Sequence, residues 1–219
     1  MSLFSGKLWR WRWQAWRSGE SVPVAEHLGA RFRQLPLLAL DLELTGLNPR
    51  QDEIVSIGAV PLDGGRIQCR QAFYQLVKAR TGVGESATIH GIVDGQLEQA
   101  LSPQAALARL WPLLEGRILV CHNAELDLAF LGRALCQCRV SDAPLLAVDT
   151  LELEKRRLLR QGKHLAPGDL TLAGCRDRYG LPYYPGHDAL VDALACGELL
   201  MAQAAAMGGN PLLGELLGP

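Results

Sequence analysis

Several features that would place a chain in a familiar class are missing here. No run of about eighteen apolar residues occurs, which excludes a membrane-spanning helix read from composition, and the N-terminus has basic residues but no apolar core of signal-peptide length. There is no Cys-x-x-Cys and no Cys/His pairing at zinc-finger spacing. The six cysteines, at 69, 121, 136, 138, 175 and 196, include only a Cys-x-Cys pair and read as reduced, mostly buried thiols of a cytoplasmic protein. Internal repeats and long low-complexity segments are absent. So is the excess of positive charge expected of a protein that holds nucleic acid by bulk electrostatics, since the formal net charge is −1.

What is present is unevenly distributed. Residues 1–35 hold six Lys/Arg against two Glu, so the remaining chain is acidic. An acidic body suits a polyanionic ligand only where bound cations neutralise part of it. The leader "KLWRWRWQAWR" carries four of the five tryptophans, and at helical spacing Trp9, Trp13 and Trp16 share one face. It reads as a tail or a helix packed on the domain, as a docking segment for a protein partner or membrane surface, as a base-stacking element, or as a transit-peptide-like start. The expected organisation is a basic Trp-rich extension over 1–35, one domain over 36–205 and a loose C-terminal tail over 206–219.

From Pro36 the pattern is α/β. The runs "PLLALDLEL", "EIVSIGAVPL" and "QAFYQLV" predict three strands in an antiparallel meander, separated by the turn signals "TGLNPRQD" and "DGG". "SPQAALARLWPLLEG" predicts a helix with a Ser cap, Pro in its first turn and Gly at its end. "RILVCHN", "AELDLAFLGRALCQC" and "PLLAVDT" then alternate strand, helix and strand, which implies parallel strands with helical crossovers. The C-terminal third reads as helical.

Against this background four carboxylates stand where apolar side chains would fold better. In a strand Asp41 and Glu43 point to the same side, away from Leu40, Leu42 and Leu44. Asp127 lies on the inward stripe of its helix with Phe130, Leu131 and Ala134, and Asp192 on that of its own with Ala189, Ala195, Cys196 and Leu199. An ionised carboxylate in an apolar setting costs several kcal/mol unless paired, hydrogen-bonded or bound to metal. Hard divalent cations such as Mg²⁺ or Mn²⁺ give the four a common explanation, and two such ions are a known arrangement for phosphodiester cleavage. An acid/base pair of a glycosidase, built from Asp41 and Glu43, leaves Asp127 and Asp192 idle.

"YYPGHDALVDA" places Pro185 and Gly186 before His187, with Asp188 as an expected helix cap and Asp192 in the first turn. A histidine on such a lead-in reaches toward a site, and its pKa near neutrality suits a base that takes a proton from water.

With Asp-x-Glu on the first strand, Asp127 after "HNAEL" and His-x-x-x-x-Asp near the C-terminus, the chain resembles the DEDDh 3′→5′ exonucleases of the ribonuclease H-like fold, in the branch of the proofreading epsilon subunit. The resemblance covers residues 36 to 205 and implies a mixed central sheet flanked by helices. It implies Asp41, Glu43, Asp127 and Asp192 as ligands of two Mg²⁺ or Mn²⁺ ions, and His187 as general base. Leu44, Thr45 and Gly46 would meet the terminal nucleotide, Ile89 and His90 of "IHGI" its base and sugar, and His122 and Asn123 would hold site or substrate geometry. Leu44-Thr45 stands where the family has a threonine pair, and Leu126 where it often has an aromatic, so the pocket for the last base is where this chain departs.

The substrate implied is a 3′ end of single-stranded or frayed nucleic acid, DNA before RNA, with nucleoside 5′-monophosphates as products. The alternatives are an end-binding or polymerase-associated module without strong catalysis, and an enzyme that trims RNA or oligoribonucleotides. The basic cluster "KRRLLRQGKH" at 155–164 reads either as a phosphate track or as a solvated helix face.

Overall fold

The computed structural model describes residues 29–218 together with His27; the Trp-rich stretch and the partner or membrane roles expected of it lie outside the described residues. The centre is a mixed sheet. Strand β1 (Leu37–Leu44) is flanked by β2 (Ile54–Asp63), antiparallel to it, and by β5 (Ile118–Cys121), parallel to it. β6 (Ala147–Asp149) continues the parallel half beside β5. On the other edge β2 pairs with the short β3 (Arg66–Ile67) near one end and β4 (Phe73–Leu76) near the other. This is the expected antiparallel-then-parallel order, with one small strand in addition.

β1 and β2 are buried at almost every position because both faces of the sheet are covered, which is why their sequences read as unbroken apolar runs. Two single turns, α1 (Ala87–His90) and α2 (Asp94–Leu97), follow β4. One face of the sheet, bearing Leu38, Leu40, Ile57 and Leu119, packs on α3 (Pro103–Leu114) and α4 (Ala124–Gln137). The opposite face, bearing Leu37, Ala39, Leu62 and Val120, packs on α5 (Thr150–Arg160) and α7 (Ala189–Ala206). The intervening α6 (Leu172–Asp177) is tied to α5 through buried Glu154, which accepts hydrogen bonds from Arg157 at 2.6 Å, Arg178 at 2.7 Å and Tyr179 at 2.9 Å. Caps fall where predicted: Ser102 accepts from Ala105 N–H, and Gly116 closes α3 with a left-handed φ of 74°.

Two sequence expectations are corrected. The chain after 206 is not a loose tail. α8 (Leu213–Leu217) buries Leu213 and Leu216 in the sheet–α5–α7 core, and Leu213 N–H donates to Ala30 O at 3.0 Å while Phe32 N–H donates to Pro211 O at 2.8 Å. Phe32 and Leu35 are likewise buried, so packing begins before Pro36. Of the cysteines only Cys121, Cys175 and Cys196 are buried; Cys69 and Cys136 are exposed. α7 is the one described helix long and apolar enough to cross a membrane; it is half-buried in the fold, with Cys196, Leu200 and Ala204 in the core.

Candidate active site

The carboxylates converge at the C-terminal end of β1. Asp41, Glu43 and Asp192 place ligand oxygens within 4.8 Å of one another. Asp41 and Glu43 share the α7 face by strand alternation, and a register shift after Glu43 bulges the ladder there. Asp192 reaches them because Gly58, paired with Asp41 across the ladder, lets the start of α7 lie directly on β2. A Cβ on Gly58 would stand 2.1 Å from the carbonyl carbon and oxygen of Ala189. A glycine inside an apolar strand was the available signal for this close approach, and sequence reasoning passed over it.

Asp188 caps α7 as expected, accepting from Leu190 N–H at 3.0 Å and Val191 N–H at 3.1 Å. His187 is exposed, in a left-handed backbone conformation with φ of 70°, and its N–H donates to Asp192 Oδ2 at 2.7 Å. The residue expected to act through its ring thus also orients a carboxylate through its backbone.

Asp127 lies in the first turn of α4, 5% exposed, and its charge acts on Asp41. The helix is held by Asp149, which the sequence pattern presented only as the end of a strand. Its carboxylate accepts from Asn123 N–H at 3.2 Å and Ala124 N–H at 3.0 Å, and it caps α5 through Leu151 N–H at 3.0 Å. One side chain thereby joins the starts of two helices and completes the left-handed turn at Asn123, whose φ is 79°.

His122 faces inward. One ring nitrogen meets Thr150 Oγ1 at 2.9 Å and the other Leu170 O at 2.9 Å, and Thr150 donates on to Cys121 O at 3.1 Å. Both nitrogens are spent on protein, so of the two roles expected of the ring the geometry fits holding the site rather than touching substrate. Asn123 is exposed beside it.

The turn after β1 is built around Asp52. Its carboxylate accepts Asn48 N–H at 2.8 Å and packs so closely on Gly46 that a Cβ there would stand 2.5 Å away. Thr45 exchanges two bonds with Glu53, N–H to O at 2.9 Å and Oγ1 from N–H at 3.0 Å. Leu44 itself is buried, whereas Leu47 on this turn is 76% exposed. Ile89 is exposed, and His90 is pinned by Ser86 Oγ at 3.0 Å and Ile92 N–H at 3.1 Å. Burial and the charge of His187 lower the pKa of His90.

Every acid of the cluster is held toward its neutral form. Burial raises Asp41 well above the carboxylate range, helped by Asp127, Asp192 and Glu43. Burial with Asp192 and Asp188 takes Glu43 to about 7, and burial with Asp149 takes Asp127 to about 8. Asp192 is raised by burial against the opposing His187 N–H bond. Hard oxygen donors crowded together in this way are the donor set of a divalent metal site.

The basic cluster at 155–164 begins in the distal half of α5 and runs past its end at Arg160. About 15 Å of helix separates Arg160 from Thr150, and Lys155 and Arg157 are paired to Glu152 and Glu154.

A mixed sheet with acids at the end of its central strand and a His-bearing loop at a helix start fits the ribonuclease H-like fold that the sequence motifs imply. The chain belongs to the exonuclease family whose model (RNase_T: Exonuclease) matches residues 38–200. Among relatives, the PolC-type DNA polymerase III of Thermotoga maritima is 30% identical over 86% of this chain but only 13% of the polymerase's length. The epsilon subunit of DNA polymerase III from Treponema pallidum is 29% identical over 76% of this chain and 75% of its own. Solved structures share the fold: the cell-death related nuclease CRN-4 at TM-score 0.67, 19% identity, covering 80% of this chain and 65% of that one, and E. coli exonuclease I with a dT13 oligonucleotide at 0.64, 16%, 80% and 43%. The family works with divalent metal ions.

Proposed function

We propose that this chain is a 3′→5′ exonuclease that releases nucleoside 5′-monophosphates from single-stranded or frayed 3′ ends, DNA before RNA. The observation that carries this reading is the convergence of Asp41, Glu43 and Asp192, with the charge of Asp127 acting on Asp41, from three separate parts of the chain. The epsilon-type relatives and the oligonucleotide held by the exonuclease I neighbour support the choice of DNA.

Asp41, Glu43, Asp127 and Asp192 would hold two Mg²⁺ or Mn²⁺ ions, which when bound supply activation of water and stabilisation of the leaving oxygen. His187 takes the proton of the attacking water through its ring, while its N–H keeps Asp192 oriented. Thr45 and Gly46 present backbone to the terminal nucleotide, Leu47 and Ile89 offer exposed apolar surface to its base, and His90 lies toward the sugar. Asn123 borders the site, while His122, Leu44 and Asp149 act behind these groups as positioning residues. The Trp-rich segment recruits a protein partner.

The test measures release of mononucleotides from labelled single-stranded DNA, mismatched-end duplex and RNA, with Mg²⁺, Mn²⁺ or chelator. Metal-dependent release, abolished in Asp41→Ala and Asp192→Ala proteins that remain folded, is expected. Undiminished turnover in both variants, or in excess chelator, refutes the assignment.

A further inference from the structure

A cavity of about 340 Å³ lies on the face of the sheet away from the carboxylates, between β2, the end of β4, α3 and α4. Its interior is largely apolar, formed by the buried side chains Ile54, Ile57, Val77, Leu107 and Phe130, with Asp52 and Glu53 also on its wall and Arg80 and Gln137 exposed along its edge. The volume falls within the range of about 300–1,000 Å³ typical of small-molecule sites.

Two arginines line this cavity, and they differ in one respect. Arg80 is compensated: its Nε donates to Glu53 Oε1 at 2.7 Å, and its N–H to Glu53 Oε2 at 2.7 Å. Arg133 is not. Its Nε reaches only the neutral Gln137 Oε1 at 3.3 Å, its Nη1 is buried with no hydrogen-bond partner, and no carboxylate pairs with it among the described residues. A buried guanidinium nitrogen without an acceptor carries a desolvation penalty that a bound anion would offset.

We propose that this cavity is a binding site for a small apolar monocarboxylate, its carboxylate on Arg133 and its hydrocarbon body against Ile57, Leu107 and Phe130. With Glu53 already paired to Arg80 and Asp52 also on the wall, a single negative charge on Arg133 is favoured over a phosphate dianion. The site is distinct from the metal-ligand cluster, yet its wall includes Glu53, the residue that exchanges two hydrogen bonds with Thr45.

The experiment is calorimetric titration of the full chain with decanoate, with 1-decanol as the comparison ligand. Decanoate is expected to bind saturably at one site, and 1-decanol about tenfold or more weaker, as the loss of a charge-assisted hydrogen bond predicts. Arg133→Gln should weaken decanoate by a similar factor. Ala134→Leu, which adds bulk to the lining, should abolish binding, and decanoate should slow alkylation of Cys138, another lining residue, as read by peptide mass spectrometry. Absence of saturable binding, equal affinity for 1-decanol, or full affinity in Arg133→Gln overturns the proposal. Were that variant not to fold, the comparison of decanoate with 1-decanol on the unaltered chain decides it.

Discussion

Glu43 illustrates how a single side chain is set against its own fold until a cation arrives. Its carboxyl is raised to about 7 and that of Asp127 to about 8, by burial and by neighbouring acids, so each binds its proton more tightly in the folded chain than in the unfolded one. A raised carboxylate pKa contributes stability only while the group is protonated. The metal-free protein should therefore lose stability as pH climbs from the ordinary carboxylate range through about 7 and then about 8. Melting temperature followed from about pH 5 to about pH 8.5 should fall, and added Mg²⁺ should raise it more at the alkaline end, because a cation favours the ionised forms. A metal effect independent of pH would contradict a site made of these acids. His187 is the second residue whose roles separate experimentally. Asn tolerates its left-handed backbone, so His187→Asn should retain the N–H bond to Asp192 and the metal-dependent gain in melting temperature, while the chemical step slows about a hundredfold or more. A wild-type pH–rate profile in that protein would remove the ring from the mechanism.

At the level of elements, the site depends on how closely α7 approaches the sheet. The Cβ of Gly58→Ala cannot be accommodated without moving the first turn of α7, since it meets backbone atoms of Ala189 and not the end of a flexible side chain. Overpacking of this kind costs about 1–3 kcal/mol. Here it also withdraws Asp192 from Asp41 and Glu43, so turnover should drop by far more than the lowered melting temperature alone would explain. Circular dichroism with Mg²⁺ titration separates the two effects; retained activity would mean that the helix has another way to seat itself. Helix and strand identities were readable from periodicity and caps, because Ser102, Asp188 and the Pro-Gly lead-in are local signals acting within a few residues. Gly58 and Asp149 were not, because each acts on an element distant in the chain.

Across the whole molecule the two ends of the described chain are locked together. Arg31 bridges to Leu212, Leu213 N–H bonds Ala30 O, and Leu213 and Leu216 are fully enclosed. Ending the chain after Gly209 removes both leucines, each worth about 1.5–3 kcal/mol of burial, and uncovers Phe32 and Val148 in the same core. Such a protein should melt well below the full chain or fail to fold, as calorimetry would reveal; an unchanged melting temperature would make α8 an ornament. The acidic body also takes on a physical meaning at this scale, since cations at the carboxylate cluster are what would admit a polyanion.

The sequence by itself determined the order of strands and helices, the identity of the four inward-facing acids and the histidine lead-in. Alternation, capping and misplaced charge are properties of neighbouring residues and survive in one dimension. Only the tertiary structure decided that Asp192 meets Asp41 and Glu43 through the gap left by Gly58, that Asp149 clamps α4 to α5, that His122 turns inward, and that Leu213 and Leu216 belong to the core. Those depend on which surfaces come within a few ångströms after the chain has closed on itself, a condition that no local pattern encodes.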